Sequence, residues 1–238
     1  MKIKTIMCNS SQEFFEAHSG VRMKLSTDTV ELHVVNLKDG PLSLETSVDE
    51  ALAAPHILKE VLSAKEEGCD AIVIDCAADP VLRAARQITD LPVVSAGEAS
   101  HHAAMMVCDK FSIITTLHES ISLFEENIQK YGYSNRLASV RAVDLPVLAL
   151  DDYEATFDAL YAESLKAVKE DGAQAIVLGC TGMLPIRLRL QEKLWIPVVE
   201  PFTMGVQFAV AMVKGQLFSS PLSYGKPSQA SMDILRKL

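Results

Sequence analysis

Two cysteines in this chain stand where thiol chemistry is possible, Cys76 and Cys180. Each follows a short apolar run, Ala71-Ile72-Val73-Ile74-Asp75 before the first and Ala175-Ile176-Val177-Leu178-Gly179 before the second. Such runs, partly β-branched and bounded by Gly68 or Gly172, read as strands buried on both faces. Helix-start signals come next: Asp79-Pro80 after Cys76 and Thr181-Gly182 after Cys180, with Pro80 suited to a first helical position. Both thiols are therefore expected at the carboxyl end of a parallel strand, beside a helix N-terminus. Open α/β sheets bind ligands there, and thiols are activated there. Two thiols facing each other across a cleft suit two-base racemisation or epimerisation. One thiolate removes a proton from carbon, and the other thiol returns one to the opposite face. A free thiol titrates near about 8.5, so both protonation states are accessible near neutral pH. Small polar residues near the strand ends, Asn9, Ser11, Thr115 and Thr181, together with backbone N–H groups, are placed to stabilise an enolate.

The two cysteines belong to an internal repeat with an offset of 104 positions. At that offset Lys65, Glu66, Gly68, Ala71, Ile72, Val73 and Cys76 meet identical residues at Lys169, Glu170, Gly172, Ala175, Ile176, Val177 and Cys180; Arg83 and Gln87 meet Arg187 and Gln191. One residue further in the offset, Pro92-Val93-Val94 meets Pro197-Val198-Val199. Two copies indicate duplicated halves, since a solenoid needs three or more.

The elements that position the thiols follow from the same patterning. In the first half, strands are expected over residues 3–8, 30–37, 71–75 and 91–94, with Asp49-Glu50 opening a helix and another over residues 79–89. Asn9-Ser10-Ser11 ends the first strand and serves either as a helix cap or as a ligand loop. Residues 41–48 read as a loop. The second half repeats this grammar: strands over 111–115, 137–143, 175–178 and 197–199, with helical spacing at Ile121, Phe124, Ile128 and Tyr131 and again from Phe157 to Val168. Thr115-Thr116 is the positional partner of Asn9-Ser10. Alternating strands and helices imply parallel sheets. The expected fold is α/β, two pseudo-symmetric parallel-sheet domains with the active site in the cleft between them. The first domain takes residues 1–97 plus 206–238, its C-terminal helices returning to it, and the second takes 98–205.

The 238 residues are 49% hydrophobic and 22% charged, ordinary for a globular chain. A net charge of −9 argues against a nucleic-acid binder. The apolar run 201–213 is too short to span a bilayer. No signal-peptide pattern is present, and five cysteines without tight spacing fit a reducing compartment, so a cytoplasmic location is expected. The expected partners are a small-molecule substrate and further copies of the chain in a homo-oligomer, with neither nucleic acid nor membrane. Cys8, Cys69 and Cys108 read as small buried hydrophobes. The six histidines show no metal spacing, and His101 and His102 point to different helix faces. Glu98 reads as a helix-start carboxylate. Asp75 should face away from Cys76 in a regular strand. With no phosphate-binding glycine loop, neither a metal nor an organic cofactor is expected.

Across nearly its whole length the chain also resembles the aspartate/glutamate/hydantoin racemase superfamily, most of all its hydantoin and allantoin racemase branch. The resemblance rests on Asp49-Glu50-Ala51-Leu52-Ala53, Gly97-Glu98-Ala99, residues 111–116, Asp144-Leu145-Pro146-Val147-Leu148 and residues 176–183, together with the two-cysteine pattern. It implies two α/β domains and cofactor-free racemisation by Cys76 and Cys180. It implies a substrate held by strand-end loops, with Asn9, Ser10, Ser11, Thr115 and Thr116 as binding positions and Ala77 and Thr181 beside the thiols. The chain departs from that branch where Met7-Cys8-Asn9-Ser10-Ser11 replaces Asn-Pro-Asn-Thr-Ser, where Ala77 replaces a bulkier residue, and where Ser47-Val48 replaces a His-Tyr-like pair. These changes spare the two bases and alter the pocket wall. The reading is a racemase acting on a small carbon acid, most simply a 5-substituted hydantoin or allantoin. Alternatives are an Asp or Glu racemase, a related decarboxylase or cis–trans isomerase, and a non-catalytic binding module or dithiol redox sensor. A disulfide requires sulfurs about 2 Å apart.

Overall fold

The computed structural model describes residues 1–237. Its strands are β1 (Lys2–Met7), β2 (Glu31–Asn36), β3 (Ala71–Asp75), β4 (Val93–Ser95), β5 (Phe111–Thr115), β6 (Leu137–Ala142), β7 (Ala175–Leu178) and β8 (Val198–Val199). Its α-helices are α1 (Gln12–Met23), α2 (Ser47–Ser63), α3 (Leu82–Ile88), α4 (Ala96–Val107), α5 (Ile121–Tyr131), α6 (Tyr153–Glu170), α7 (Arg187–Leu194), α8 (Pro201–Lys214) and α9 (Gln229–Lys237). The strands form two four-stranded sheets in the orders β2-β1-β3-β4 and β6-β5-β7-β8. Every pair is parallel. The expected pair of parallel-sheet α/β halves is present, and the strand order is the same in both.

The chain divides into two compact units. One holds residues 1–75, 79–95 and 205 onward; the other holds Cys76–Ala78 and Ala96–Met204. The division falls immediately before Cys76, so both Cys76 and Cys180 belong to the second unit.

The second unit shows why its strands read as continuous apolar runs. Ile114, Ile176, Leu178 and Val198 pack into one cluster with Phe157, Leu160, Ala167 and Leu190 from α6 and α7. Phe111, Ile113, Ala175, Val177 and Val199 pack into another with Ala104, Phe124 and Ile128 from α4 and α5. Alternate side chains of one strand point to opposite faces, so helices on both faces demand apolar residues at every position. The first unit buries Ile3, Ile6, Ala71, Ile72, Val73 and Ile74 by the same logic.

The repeated glycines have a backbone reason. Gly68 and Gly172 adopt φ of +73° and +75°, left-handed values that end the preceding helical segment without a side-chain penalty. Each lets the chain reverse into the central strand, β3 or β7.

Three helix starts that the sequence signalled lie elsewhere in the structure. Helix α2 begins two residues earlier than Asp49, at Ser47, so Ser47 and Val48 are helical rather than loop. The cap is Thr46, whose hydroxyl accepts from the Asp49 N–H at 3.3 Å while the Asp49 carboxylate accepts from the Thr46 N–H at 2.8 Å. That reciprocal box places the acidic residue at the third helical position, not the first. Helix α3 begins later than expected, at Leu82, and Pro80 is not its first residue. Asp79 and Val81 both take left-handed φ, 56° and 50°. A residue before proline is disfavoured in the right-handed helical region, and Asp tolerates the left-handed one; for β-branched Val81 the conformation is strained. After Cys180 the chain forms a 3-10 turn over Thr181–Ile186 before α7 starts at Arg187.

Candidate active site

Cys76 follows the last residue of β3 and Cys180 lies two residues beyond the end of β7. Both are half-buried, and all five cysteines are free thiols. A backbone N–H, that of Gly182, is directed at the Cys180 sulfur at 3.4 Å. The segment after Cys76 is held by Asn127 of α5, whose amide Nδ2 donates to the Ala78 carbonyl at 2.8 Å. Ala77 packs its methyl into the core cluster with Phe111, Ile113 and Val177. What Ala77 can offer a ligand is therefore its backbone.

The strand-end loops have matching frames in the two units. In the first, the Leu37 N–H donates to the Asn9 carbonyl at 3.0 Å; in the second, the Val143 N–H donates to the Thr115 carbonyl at 3.0 Å. Each loop is thus braced by the segment leaving the edge strand, β2 or β6. Asn9 is buried, and its Oδ1 accepts from the Ser11 N–H at 3.2 Å. The Ser10 hydroxyl is turned to the carbonyls of Gly40 and Pro41, at 2.8 and 3.1 Å. The Ser11 hydroxyl caps α1, accepting from the Phe14 N–H at 3.2 Å. Of the two roles open to it in the sequence, capping is the one its hydroxyl performs.

In the second unit the Ser120 hydroxyl donates to the Leu117 carbonyl at 2.7 Å. Its oxygen then accepts from the Thr115 hydroxyl at 2.9 Å. Thr116 and Thr181 are buried at their strand ends, and the Thr116 carbonyl accepts from the Leu145 N–H at 3.2 Å. Within each unit the groups at these strand ends are neutral hydroxyls, amides and backbone dipoles.

Of the remaining thiols, Cys8 and Cys69 are buried as expected, whereas Cys108 is half-buried. Burial pushes the Cys69 and Cys108 thiols up, and Cys8 is buried with its S–H directed at the Ile6 carbonyl at 3.5 Å. His101 and His102 do face apart. His102 Nδ1 lies 2.8 Å from the Glu98 carbonyl and its Nε2 2.6 Å from the Tyr133 hydroxyl, which fixes Nδ1 as the protonated nitrogen. His101 stacks on Phe111 and is buried. Glu98 lies in the first turn of α4. Among the described residues, no group of three or more His, Cys, Asp or Glu side chains could hold a metal ion. No described helix is long and apolar enough to cross a membrane.

Three polar residues near these strand ends escaped the sequence reading. Asn127 carried a signal, being a polar residue within the apolar stripe of Phe124 and Ile128. Glu200 carried one too, standing just before Pro201. Its buried carboxylate accepts from the Phe202 and Thr203 N–H groups at 2.7 and 2.8 Å and so caps α8. Arg22 carried none. Its guanidinium Nε is paired with Asp75 Oδ2 at 2.5 Å, both side chains almost wholly buried.

A family model for Asp/Glu/Hydantoin racemase matches residues 3–209. A hydantoin racemase of Pseudomonas sp. (strain NS671) is 35% identical over 96% of this chain and 93% of that protein. A hydantoin racemase of Paenarthrobacter aurescens is 36% identical over 96% of this chain and 98% of its own length. The structure of an allantoin racemase from Klebsiella pneumoniae aligns with a TM-score of 0.91 and 33% identity, covering 96% of this chain and 94% of that one. With the duplicated parallel sheets and the thiol after each central strand, these matches place the chain in the Asp/Glu/Hydantoin racemase family, as an isomerase of the racemase type.

Proposed function

We propose that this racemase inverts the C5 carbon of a 5-substituted hydantoin or of allantoin, without a cofactor, using Cys76 and Cys180 as opposed bases. The observation that carries the reading is the equivalence of the two thiols. Each is half-buried and follows the central strand of a parallel sheet. The relatives named hydantoin and allantoin racemases point to the same class of substrate.

In the forward direction the thiolate of one cysteine takes the C5 proton, and the electron pair of the C–H bond moves into the adjacent carbonyl. The resulting enolate is held by hydrogen-bond donors rather than by a metal. The thiol of the other cysteine then gives its proton to the opposite face of C5. The product leaves with the two cysteines in exchanged protonation states, ready for the other enantiomer. The N–H of Gly182 at the Cys180 sulfur is a partner for negative charge on that atom. Asn9, Ser10, Ser11, Thr115, Thr116 and Thr181, with the backbone of Ala77, supply the polar neighbourhood. A hydantoin ring is neutral and its C5–H is acidified by the ring carbonyl. A free amino acid carries two charges on a far weaker carbon acid and would need charged partners, whereas Arg22, Asp75 and Glu200 at these strand ends are already engaged, the first two with each other and the third with the N-terminus of α8.

The test is circular dichroism of single enantiomers: several 5-substituted hydantoins, allantoin, aspartate and glutamate. The hydantoin or allantoin signal should decay to zero at equal concentrations of the two hands, and should do so after exhaustive dialysis against chelator. Decay confined to the amino acids would overturn the substrate assignment. Activity lost on dialysis and restored by zinc would overturn the cofactor-free mechanism.

A further inference from the structure

The two copies of the repeat diverge at one informative place, the residue immediately before each cysteine. In the first copy it is Asp75, in the second Gly179. Asp75 is the last residue of β3, and its carboxylate is buried with the guanidinium of Arg22 from the last turn of α1. The Arg22 Nη1 also donates to the His18 carbonyl at 3.3 Å, which holds the guanidinium in place. Gly179 has no side chain at all, and its N–H donates to the Ile114 carbonyl at 2.7 Å. The second copy therefore continues past the equivalent strand with no charge in that position. A buried ion pair adds little net stability, because desolvation offsets the attraction. The pair stands one peptide bond from Cys76.

We infer that Arg22 and Asp75 are a positioning pair for Cys76, holding its strand end and balancing the charge beside its thiol, with no counterpart at Cys180. The inference rests on the two-base reading for its purpose but not for its measurement. A thiol that must alternate between acid and base needs a neighbourhood close to electrical balance. A bare Asp75 carboxylate would oppose the thiolate, a bare Arg22 guanidinium would favour it, and the two offset each other; the other buried carboxylate of this segment, Asp79, is the same in every variant. An unbalanced charge roughly 7 Å from a thiol, at an effective dielectric of about 20, moves its titration by roughly one to two pH units.

The experiment measures the pH dependence of iodoacetamide alkylation at Cys76 and Cys180 separately, by mass spectrometry of their peptides. It uses the whole protein and the variants Arg22→Met, Asp75→Asn, Arg22→Lys and the double variant Arg22→Met with Asp75→Asn. The Cys76 profile should move to higher pH in Arg22→Met and to lower pH in Asp75→Asn. It should return toward the wild-type position in the double variant and in Arg22→Lys. The Cys180 profile should stay in place throughout. Should Arg22→Met fail to fold, Asp75→Asn and the double variant still decide the sign. A Cys76 profile that does not move, or that moves the same way in Arg22→Met and Asp75→Asn, overturns the inference, since the loss of a merely structural contact would not reverse sign with the charge removed. Racemisation is measured in parallel on a 5-substituted hydantoin. If wild-type protein fails to racemise it while the opposed shifts at Cys76 persist, the substrate reading falls and the positioning pair stands.

Discussion

Gly179 lies so close to Thr115 that a methyl group on its Cα would stand 2.7 Å from the Thr115 Cα and 2.9 Å from its Cβ. The same methyl would stand 2.9 Å from the Ile114 carbonyl oxygen. Two of the obstacles are backbone, so no side-chain rotation relieves the clash. This glycine lets the chain leading to Cys180 pass close against the end of β5, where Thr115 begins its loop. The contact joins two positions that the sequence suggested separately.

Gly179→Ala should therefore cost stability and activity together. Overpacking of this kind costs about 1–3 kcal/mol, read as a lower urea midpoint. Displacing Cys180 by even a fraction of an ångström should lower racemisation further, by up to about 100-fold under conditions where the variant is fully folded. A variant with the wild-type midpoint and rate would show that the approach of the two segments is dispensable.

The loops ending β1 and β5 yield a graded prediction. Asn9→Ala and Thr116→Ala should each lower kcat/KM by roughly 10- to 100-fold, the effect of losing one polar group in a site. Ser11→Ala should lower stability by about 1 kcal/mol, because its hydroxyl caps α1. Kinetics on the true substrate and urea melts of the three variants separate the two kinds of loss. Wild-type rates in both Asn9→Ala and Thr116→Ala would remove these loops from the site.

The legibility of this fold has a physical pattern. Strands buried on both faces announce themselves as apolar runs, so β3 and β7 and the cysteines after them could be located without coordinates. The glycines Gly68 and Gly172 marked their starts because only glycine takes that backbone cheaply. The start of α3 was misplaced because Asp79-Pro80 resembles a helix opening, whereas in the structure Asp79 and Val81, on either side of Pro80, take left-handed φ and delay the helix to Leu82. The Arg22–Asp75 pair left no local trace. It joins residues 53 positions apart, and an arginine in a last helical turn reads simply as a cation complementing the helix dipole. Hydroxyl roles were similarly hidden: whether Ser11 caps a helix or meets a ligand depends on a rotamer, not on spacing.

His101 predicts how the protein responds to acid. It is buried beside Phe111 and Tyr131, and neither ring nitrogen has a hydrogen-bond partner. Burial, reinforced by neighbouring His102, lowers its pKa from 6.5 to about 3. The unfolded chain therefore takes up a proton below about pH 6.5 that the folded chain refuses. Stability contributed by the neutral ring is complete above that pH and is lost as pH falls toward 3, at up to about 1.4 kcal/mol per pH unit. His101→Phe should flatten the dependence of the urea midpoint on pH between about 6 and 4. An unchanged slope would mean that another group governs acid unfolding.

The division of labour between the thiols gives the most direct prediction. Two bases on opposite faces mean that each cysteine accepts the proton of one enantiomer only. Cys76→Ser leaves Cys180 in place but removes its partner acid, because a serine hydroxyl is far too weak to supply the second proton. Inversion should fall by several orders of magnitude. The surviving thiolate can still lift the C5 proton of one enantiomer, exchange it with solvent and return it to the same face. In deuterated water the Cys76→Ser variant should therefore label one enantiomer without racemising it, and Cys180→Ser should label only the other. Proton NMR of each pure enantiomer with each variant, corrected for uncatalysed exchange of the hydantoin, reads this directly. Labelling of both hands by one variant, or full racemisation by either, would mean that a single base does the work and that the repeated cysteines are not a catalytic pair.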